Sequence, residues 1–128
     1  MGVNMKTIKM KQLDEKDEEI ADALISLGMS RNAAITLAYM QNANSATSLE
    51  LERSARLCQP EVSIVMRQLK EHDWVNEREE KTPGKGRPNK IYSLKIGFNE
   101  IIAHLENQQR KAVEEVQERI ERLKELGK

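Results

Sequence analysis

From residue 13 to residue 73 the apolar side chains recur every three or four positions, the spacing of one face of a helix. Asp14 can cap a first helix, which ends at Gly28. Ser30 can cap a second helix, which stops in the turn-like segment 42–45. The apolar positions of these two helices are Ile20, Leu24, Leu27, Ala34, Leu37, Ala38 and Tyr39. We therefore predict two amphipathic helices in this part of the chain.

Two further helices flank a tight turn at residues 56–58. Ser48 is expected to cap the first, and Pro60 to occupy the first helical position of the second, which runs to about Asp73. The inward positions are Leu49, Leu51 and Ala55 in the first helix and Val62, Val65, Met66 and Leu69 in the second. The opposite face of the second helix carries Glu61, Ser63, Ile64, Arg67 and Lys70. Two short helices joined in this way predict a helix-turn-helix unit.

The period changes from helical to alternating after residue 73. Residues 74–78 and 90–94 alternate between apolar and polar side chains, which predicts two strands, and the segment between them is dense in Pro and Gly. From residue 81 to residue 95 no acidic residue occurs, and the positive charges are Lys81, Lys85, Arg87, Lys90 and Lys95. We therefore predict a β-hairpin with a basic tip, in which Trp74 closes the corner between helix and strand.

A long helix is predicted from Phe98 to Leu126, where the chain has no Pro and no internal Gly. At ~1.5 Å per residue it would reach roughly 40 Å, too long to pack entirely on so small a body. Its apolar stripe consists of Ile102, Leu105, Ala112, Val113, Val116, Ile120 and Leu123. A second copy of the chain is the simplest partner for this stripe. Because Gln108 and Gln109 interrupt it, a short antiparallel or crossing helix pair is favoured over a uniform coiled coil.

Composition and charge refine this picture. Of the 128 residues, 38% are hydrophobic and only 3% aromatic, so the core must be mainly aliphatic. This favours a mainly α fold with a small β-hairpin, arranged as one domain over residues 13–96, a flexible basic arm at 1–12 and a dimerisation helix at 97–128. The formal net charge is +0. This net charge of zero is the sum of regions with opposite charge. The arm carries lysines without acids, whereas residues 14–22 are strongly acidic.

This order of elements and three runs of sequence carry a resemblance. The runs are Leu-Cys-Gln-Pro-Glu-Val-Ser at 57–63, Leu-Lys-Glu-His-Asp-Trp-Val at 69–75 and Gly-Arg-Pro-Asn-Lys-Ile-Tyr at 86–92. The last is similar to the pattern Gly-Arg-Pro-x-Lys-x-Tyr that closes the wing in many prokaryotic winged-helix transcription regulators of the TrmB, ArsR and MarR group. The chain resembles that group from about residue 13 to residue 95. Arg56 departs from the group's pattern, since its members often have Gly there.

The resemblance implies a function in transcription. A winged helix-turn-helix domain followed by a long C-terminal dimerisation helix would bind double-stranded DNA as a homodimer. The second helix of the helix-turn-helix unit would lie in the major groove, and the wing on the minor groove or backbone. Repression is the simplest output, although an activator would have the same sequence. Longer TrmB-type members add a sugar-sensing domain, for which this chain has no residues left. The alternative is a winged-helix module that binds another protein of the transcription machinery.

The candidate DNA-contacting residues fall into three sets. The recognition-helix set is Gln59, Ser63, Ile64, Arg67 and Lys70; the wing set is Lys81, Lys85, Arg87 and Lys90; a candidate phosphate clamp is Arg53 and Arg56. The two clamp arginines could instead pair with Glu50 and Glu52, and each exposed helix residue could be an ordinary solvated position. Glu61, on the recognition face, would repel phosphates unless it accepts a hydrogen bond from a cytosine amine.

The sequence shows no sign of catalysis, a cofactor or a metal. No nucleophile and base occur in a recognisable arrangement, and the glycines at 84 and 86 lie between strands, the wrong context for nucleotide binding. Cys58, the only cysteine, suits a reducing cytoplasm, and we expect a small core residue rather than a redox switch. His72 and His104 lack metal-ligand spacing. No membrane span is expected, and the question of a small-molecule effector stays open.

Overall fold

The computed structural model of the chain describes residues 13–43, 45–80 and 89–128. These residues form α1 (Glu15–Ser26), α2 (Arg31–Met40), β1 (Ala46–Thr47), α3 (Ser48–Ser54), α4 (Gln59–Glu71), β2 (Val75–Glu80), β3 (Asn89–Leu94) and α5 (Phe98–Leu126). The chain divides into two compact units, of which the first ends at Gly97 and the second is Phe98–Lys128. The basic arm predicted at residues 1–12 lies outside the described residues.

The first two helices begin where the sequence pattern predicts a capping side chain. The Asp14 carboxylate accepts a hydrogen bond from the Asp17 backbone N–H at 2.8 Å, and the Asp17 carboxylate accepts one from the Asp14 N–H at 3.3 Å. The Ser30 hydroxyl accepts a hydrogen bond from the Ala33 N–H at 3.3 Å. Both predicted caps are confirmed, and each satisfies backbone donors that a helix leaves unpaired at its start.

Both helices of the helix-turn-helix unit begin one residue earlier than predicted. The prediction that Ser48 caps α3 was wrong, because Thr47 does so. Its hydroxyl accepts a hydrogen bond from the Glu50 N–H at 3.0 Å, and the Glu50 carboxylate accepts one from the Thr47 N–H at 2.8 Å. This is the reciprocal capping box of a Thr-x-x-Glu sequence. α4 begins at Gln59, so Pro60 lies in the second helical position, where its missing N–H costs nothing.

Three of these helices end with a residue in the left-handed conformation. The residues are Gly28 (φ 104°), Arg56 (φ 58°) and Asp73 (φ 67°). In each case the following residue donates its N–H to a carbonyl of the last helical turn. These hydrogen bonds run from Met29 to Leu24 (3.2 Å), from Leu57 to Glu52 (3.0 Å) and from Trp74 to Leu69 (3.1 Å). The tight turn predicted at residues 56–58 is thus the closing turn of α3.

The hairpin belongs to a three-stranded antiparallel sheet with the order β1–β3–β2. β2 and β3 pair from Val75 opposite Leu94 to Glu80 opposite Asn89. β1 pairs with the other side of β3 through Ala46 and Thr47. The sequence pattern predicts the hairpin but not β1, since a run of two residues is too short to show alternation.

The core of the first unit consists of aliphatic side chains and a few aromatic ones. α2 is buried from Ala33 to Met40, and α1 packs against it. The predicted apolar face of α4 is confirmed, because Val62, Val65, Met66 and Leu69 are each 2% exposed. Trp74 is also buried, at the corner between α4 and β2. α4 is therefore held in the core along its length and at its C-terminal end.

Two apolar side chains predicted to be buried are exposed. Leu49 is 50% exposed because it lies two residues before Leu51 in α3, and positions two apart point to different sides of a helix. Leu27 is 42% exposed because it follows the last helical residue of α1. Neither change alters the order of the elements.

α5 is a single helix of 29 residues, as predicted. Ile101 and Leu105 are buried, so Leu105 is not part of the exposed stripe in which the sequence pattern placed it. The large apolar side chains exposed along the helix are Ile102, Val113, Val116, Ile120, Leu123 and Leu126. Despite its length α5 is too polar to cross a membrane, and none of the other described helices meets the length and hydropathy that a span requires.

Candidate nucleic-acid interface

α4 presents a polar face opposite its buried apolar face. The residues of the predicted recognition set, Gln59, Ser63, Ile64, Arg67 and Lys70, are all exposed. Ile64, the one apolar member of this set, is 50% exposed. A helix anchored on one side and exposed on the other can enter the major groove of DNA, which is about 12 Å wide. The division of this helix into two faces is the main geometric feature of the site.

Glu61 caps α4 rather than projecting freely from its exposed face. Its carboxylate accepts a hydrogen bond from the Cys58 backbone N–H at 2.9 Å. The hydrogen bonds from Cys58 hold the pKa of Glu61 below its ordinary value. The charge lies in the first turn, where the helix dipole is positive, so its repulsion of a phosphate is partly offset. Cys58 itself is exposed, so the expectation of a core cysteine was wrong.

Three contacts fix the end of α4 to the sheet. The His72 ring stacks on Trp74, with centroids 4.4 Å apart and an interplanar angle of 18°. The Lys95 N–H donates to the Trp74 carbonyl at 2.7 Å. The Lys95 ammonium pairs with the Asp73 carboxylate at 2.7 Å. Together these contacts set the position of the helix relative to the hairpin.

Two of the predicted DNA-contacting lysines converge on one carboxylate. The Lys70 ammonium, at the end of α4, donates to Glu77 Oε1 at 2.7 Å. The Lys90 ammonium, on β3, lies 3.8 Å from Glu77 Oε2. The hydrogen bond from Lys70 is the main cause that lowers the pKa of Glu77. Lys70 and Lys90 are therefore exposed but already engaged in ion pairs.

Strand pairing holds Glu77 in this position. Glu77 lies opposite Tyr92 in the β2–β3 register. Burial, and secondarily the charge of Glu77, raises the pKa of Tyr92 to about 12. The phenol is therefore neutral at physiological pH. Lys70 and Lys90 are therefore the charged neighbours of Glu77, and the pairing of β2 with β3 fixes the position of its backbone.

The candidate phosphate clamp lies in a groove with a third arginine. Arg53 and Arg56 line this groove together with Arg31 of α2. On the α1 side the groove is lined by the acidic residues Asp17, Glu18 and Asp22. Glu50 caps α3, and no ion pair joins either clamp arginine to Glu50 or Glu52 within the described chain. Phosphate contact by this pair remains a prediction.

The described part of the hairpin is more acidic than the predicted wing. Lys81, Lys85 and Arg87 lie outside the described residues, which resume at residue 89. β2 carries Glu77, Glu79 and Glu80, and Glu79 is the cross-strand partner of Lys90. The strand beside α4 is thus acidic, whereas the positive charges of the wing are concentrated at its tip by sequence. Any phosphate contact by the hairpin is accordingly expected at the tip rather than along β2.

A candidate metal site is absent among the residues that the structure describes. Among them no three side chains of His, Cys, Asp or Glu come together as a metal ion would require. The single cysteine is the cap residue of α4.

The fold has counterparts among solved structures although the sequence itself gives no match. No protein-family model and no curated protein matches the chain. A possible transcriptional regulator from Methanosarcina mazei Go1 is similar in structure, with a TM-score of 0.61 and 15% identity over 84% of this chain and 85% of that chain. The chain has a winged-helix fold.

A second solved structure is less similar. It is a MarR mutant from E. coli in complex with operator DNA, with a TM-score of 0.48 and 17% identity over 80% of this chain and 70% of that chain. After the roles predicted from the sequence, α4 is called the recognition helix below, and β2, β3 and the sequence between them are called the wing.

Two residues of the candidate site were missed by the sequence pattern. Glu77 was overlooked because its importance depends on strand register, which brings it near Lys70 and Lys90. Arg31 was overlooked because its place in the groove depends on packing between α2 and the helix-turn-helix unit. The capping role of Glu61 had a signal, since Cys-Gln-Pro-Glu has the spacing of a capping box.

Proposed function

We propose that the protein binds double-stranded DNA sequence-specifically and regulates transcription, without catalysis and without a cofactor. The observation that carries the proposal is the recognition helix, whose apolar face is fixed in the core while Ser63, Ile64 and Arg67 are exposed on the opposite face. The basic tip of the wing supports backbone or minor-groove contact. The structural likeness to a possible transcriptional regulator agrees with this role.

The exposed recognition-helix residues have chemistry suited to base edges. Arg67 can donate two hydrogen bonds to guanine, the commonest specific contact in the major groove. Gln59 and Ser63 can bond to adenine or to several bases, and Ile64 can contact a thymine methyl group. Arg53, Arg56, Lys85 and Arg87 would contact phosphates and set the register on the duplex.

The protein would act as a homodimer held by α5. Val113, Val116, Ile120 and Leu123 are exposed at spacings of three, four and three residues, as in the seam of a coiled coil. Two-fold symmetry then predicts an inverted-repeat operator, with half-sites about one helical turn or roughly 34 Å apart, or a multiple of it. A dimer of TrmB-like type that covers a promoter in the cytoplasm would repress transcription.

A second candidate function is protein binding within the transcription machinery. The acidic run on α1 and the acidic strand β2 favour it, because both would be repelled by DNA. The two candidates differ in one measurable property, which is intrinsic affinity for duplex DNA.

Selection from a random duplex pool, followed by binding measurements, tests the proposal. The wild-type protein should enrich an inverted repeat. Arg67→Ala should weaken binding to the selected site by about 5- to 150-fold, the cost of about 1–3 kcal/mol for a lost guanine contact. Arg122→Ala removes the same charge from exposed α5 and is the matched control. Absence of enrichment, or an equal loss in the control, would overturn the proposal.

A further inference from the structure

Glu77 lies close to one lysine of the recognition helix and one lysine of the wing, the two elements that would contact DNA in the proposed function. Its carboxylate bonds to Lys70 at the end of the recognition helix (2.7 Å) and lies near Lys90 of the wing (3.8 Å). The two ammonium groups belong to different elements, and no other described carboxylate is paired with either of them in this structure. One acidic side chain therefore lies within ion-pair distance of two of the lysines that are predicted to contact DNA.

The three side chains differ in how far they are exposed. Glu77 is held on a paired strand and its side chain is 22% exposed. The side chains of Lys70 and Lys90 are 45% and 49% exposed. A lysine ammonium is carried on a flexible stem of four carbons, so it can take up other positions. The lysines can turn toward a phosphate, whereas the carboxylate cannot follow far. A phosphate that binds either lysine must therefore compete with Glu77.

We propose that Glu77 is an affinity-limiting residue, which holds Lys70 and Lys90 away from DNA phosphates and so reduces binding that does not depend on sequence. The inference rests on the proposed function. Phosphate contacts supply affinity for any sequence, whereas base contacts distinguish sequences. Withholding two phosphate contacts lowers affinity for random duplex without changing the base-reading residues, and so raises the specificity ratio.

The effect has a size that a salt titration can measure. Each phosphate contact changes the slope of log K against log salt by about −0.9. If Glu77→Gln releases both lysines, the slope should steepen by about 1.8, which multiplies the affinity loss between about 50 and 200 mM salt roughly 12-fold. Release of one lysine would multiply it by about 3.5.

The experiment measures binding of the full chain to a random-sequence duplex across this salt range. Wild type is compared with Glu77→Gln, with Lys70→Ala, and with the double variant. We expect Glu77→Gln to bind random duplex more tightly at low salt and with a steeper slope. We also expect Lys70→Ala to weaken binding more in the Glu77→Gln background than in wild type, because only there is the lysine released. Circular dichroism verifies that each variant is folded.

The matched control is Glu71→Gln, which removes one exposed carboxylate adjacent to Lys70 in sequence. An equal gain in affinity in this control would show an effect of net charge alone and would overturn the inference. Weaker binding by folded Glu77→Gln would also overturn it, since Glu77 would then position the lysines on DNA. If wild type itself binds no duplex, the proposed function fails and this inference fails with it. If wild type binds and Glu77→Gln is unchanged, the inference alone fails.

Discussion

Arg56 and Asp73 occupy left-handed backbone positions, the first in the turn between the two helices of the helix-turn-helix unit and the second just after α4. A non-glycine residue in this conformation costs roughly 1–2 kcal/mol. Arg56 closes α3 at φ 58°, and the side chain lines the groove shared with Arg31 and Arg53. A charged side chain thus occupies a position where glycine would relieve strain, and this strain supports the hypothesis that Arg56 serves binding.

The strain at Arg56 can be measured by replacing it with glycine. Arg56→Gly should raise the free energy of unfolding by about 0.5–1 kcal/mol, because relief of the left-handed strain exceeds the added entropy of the unfolded chain. The measurement is urea denaturation followed by circular dichroism.

A matched glycine substitution separates this effect from a general one. Arg53→Gly, in the last turn of α3, should lower the free energy of unfolding by about 1 kcal/mol, the ordinary helix penalty. If Arg56→Gly were as destabilising as Arg53→Gly, the left-handed conformation would not be a source of strain. If Arg56 also contacts phosphates, its glycine variant will bind DNA less tightly while being more stable.

Glu61 links the stability of the recognition helix to pH. The Cys58 N–H hydrogen bond lowers its folded-state pKa below the ordinary value of 4.5. A depressed folded pKa contributes stability at pH values above the unfolded pKa, and this contribution is lost as the pH falls through the folded pKa. Wild type should therefore be more stable than Glu61→Gln near neutral pH, and the difference should shrink as the pH falls below about 4.5. Denaturation at several pH values checks this. A difference that is constant down to strongly acidic pH would contradict it.

At the scale of elements, local patterns predict α4 well and β1 not at all. The four buried residues of α4 repeat at helical spacing, so the face that they form could be predicted from the sequence alone. β1 exists only because Ala46 and Thr47 pair with β3, some 45 residues away in the chain. The Thr47 cap was predicted one residue late although its capping-box spacing was present. The periodicity of apolar residues predicts which face of a helix is buried, whereas the pairing of a short strand depends on residues that are distant in the chain.

The exposed stripe of α5 makes a prediction about pairing of chains. Val116→Glu should convert a dimer to a monomer, because it would place a charge among apolar side chains when two copies of α5 pair. Sedimentation velocity over a range of concentrations is the measurement. Gln117→Glu introduces the same charge one position away from the stripe and should leave the dimer intact. A wild-type chain that is monomeric at all concentrations would contradict this prediction.

At the scale of the whole molecule, the arrangement of charge matters more than its sum. The formal net charge is +0, yet α1 and β2 carry acids while the tip of the wing is basic by sequence. The sequence predicts which residues are exposed on the recognition helix, because that is a property of one helix. It does not predict that Lys70 and Lys90 share Glu77, since this depends on the register of β2 against β3 and on the packing of α4 beside them.

We expect this winged helix to bind duplex DNA through the recognition helix and the wing. The most direct test is the salt dependence of binding to a random-sequence duplex, comparing wild type with Lys85→Ala/Arg87→Ala and with the charge-matched control Arg119→Ala/Arg122→Ala in α5. Wild type should bind, with log K falling linearly with log salt, and the wing variant should show a slope shallower by about 1.8, that of two phosphate contacts. The α5 control should match wild type. If wild type does not bind at about 50 mM salt, the protein does not act through intrinsic DNA affinity, and a protein partner is favoured instead.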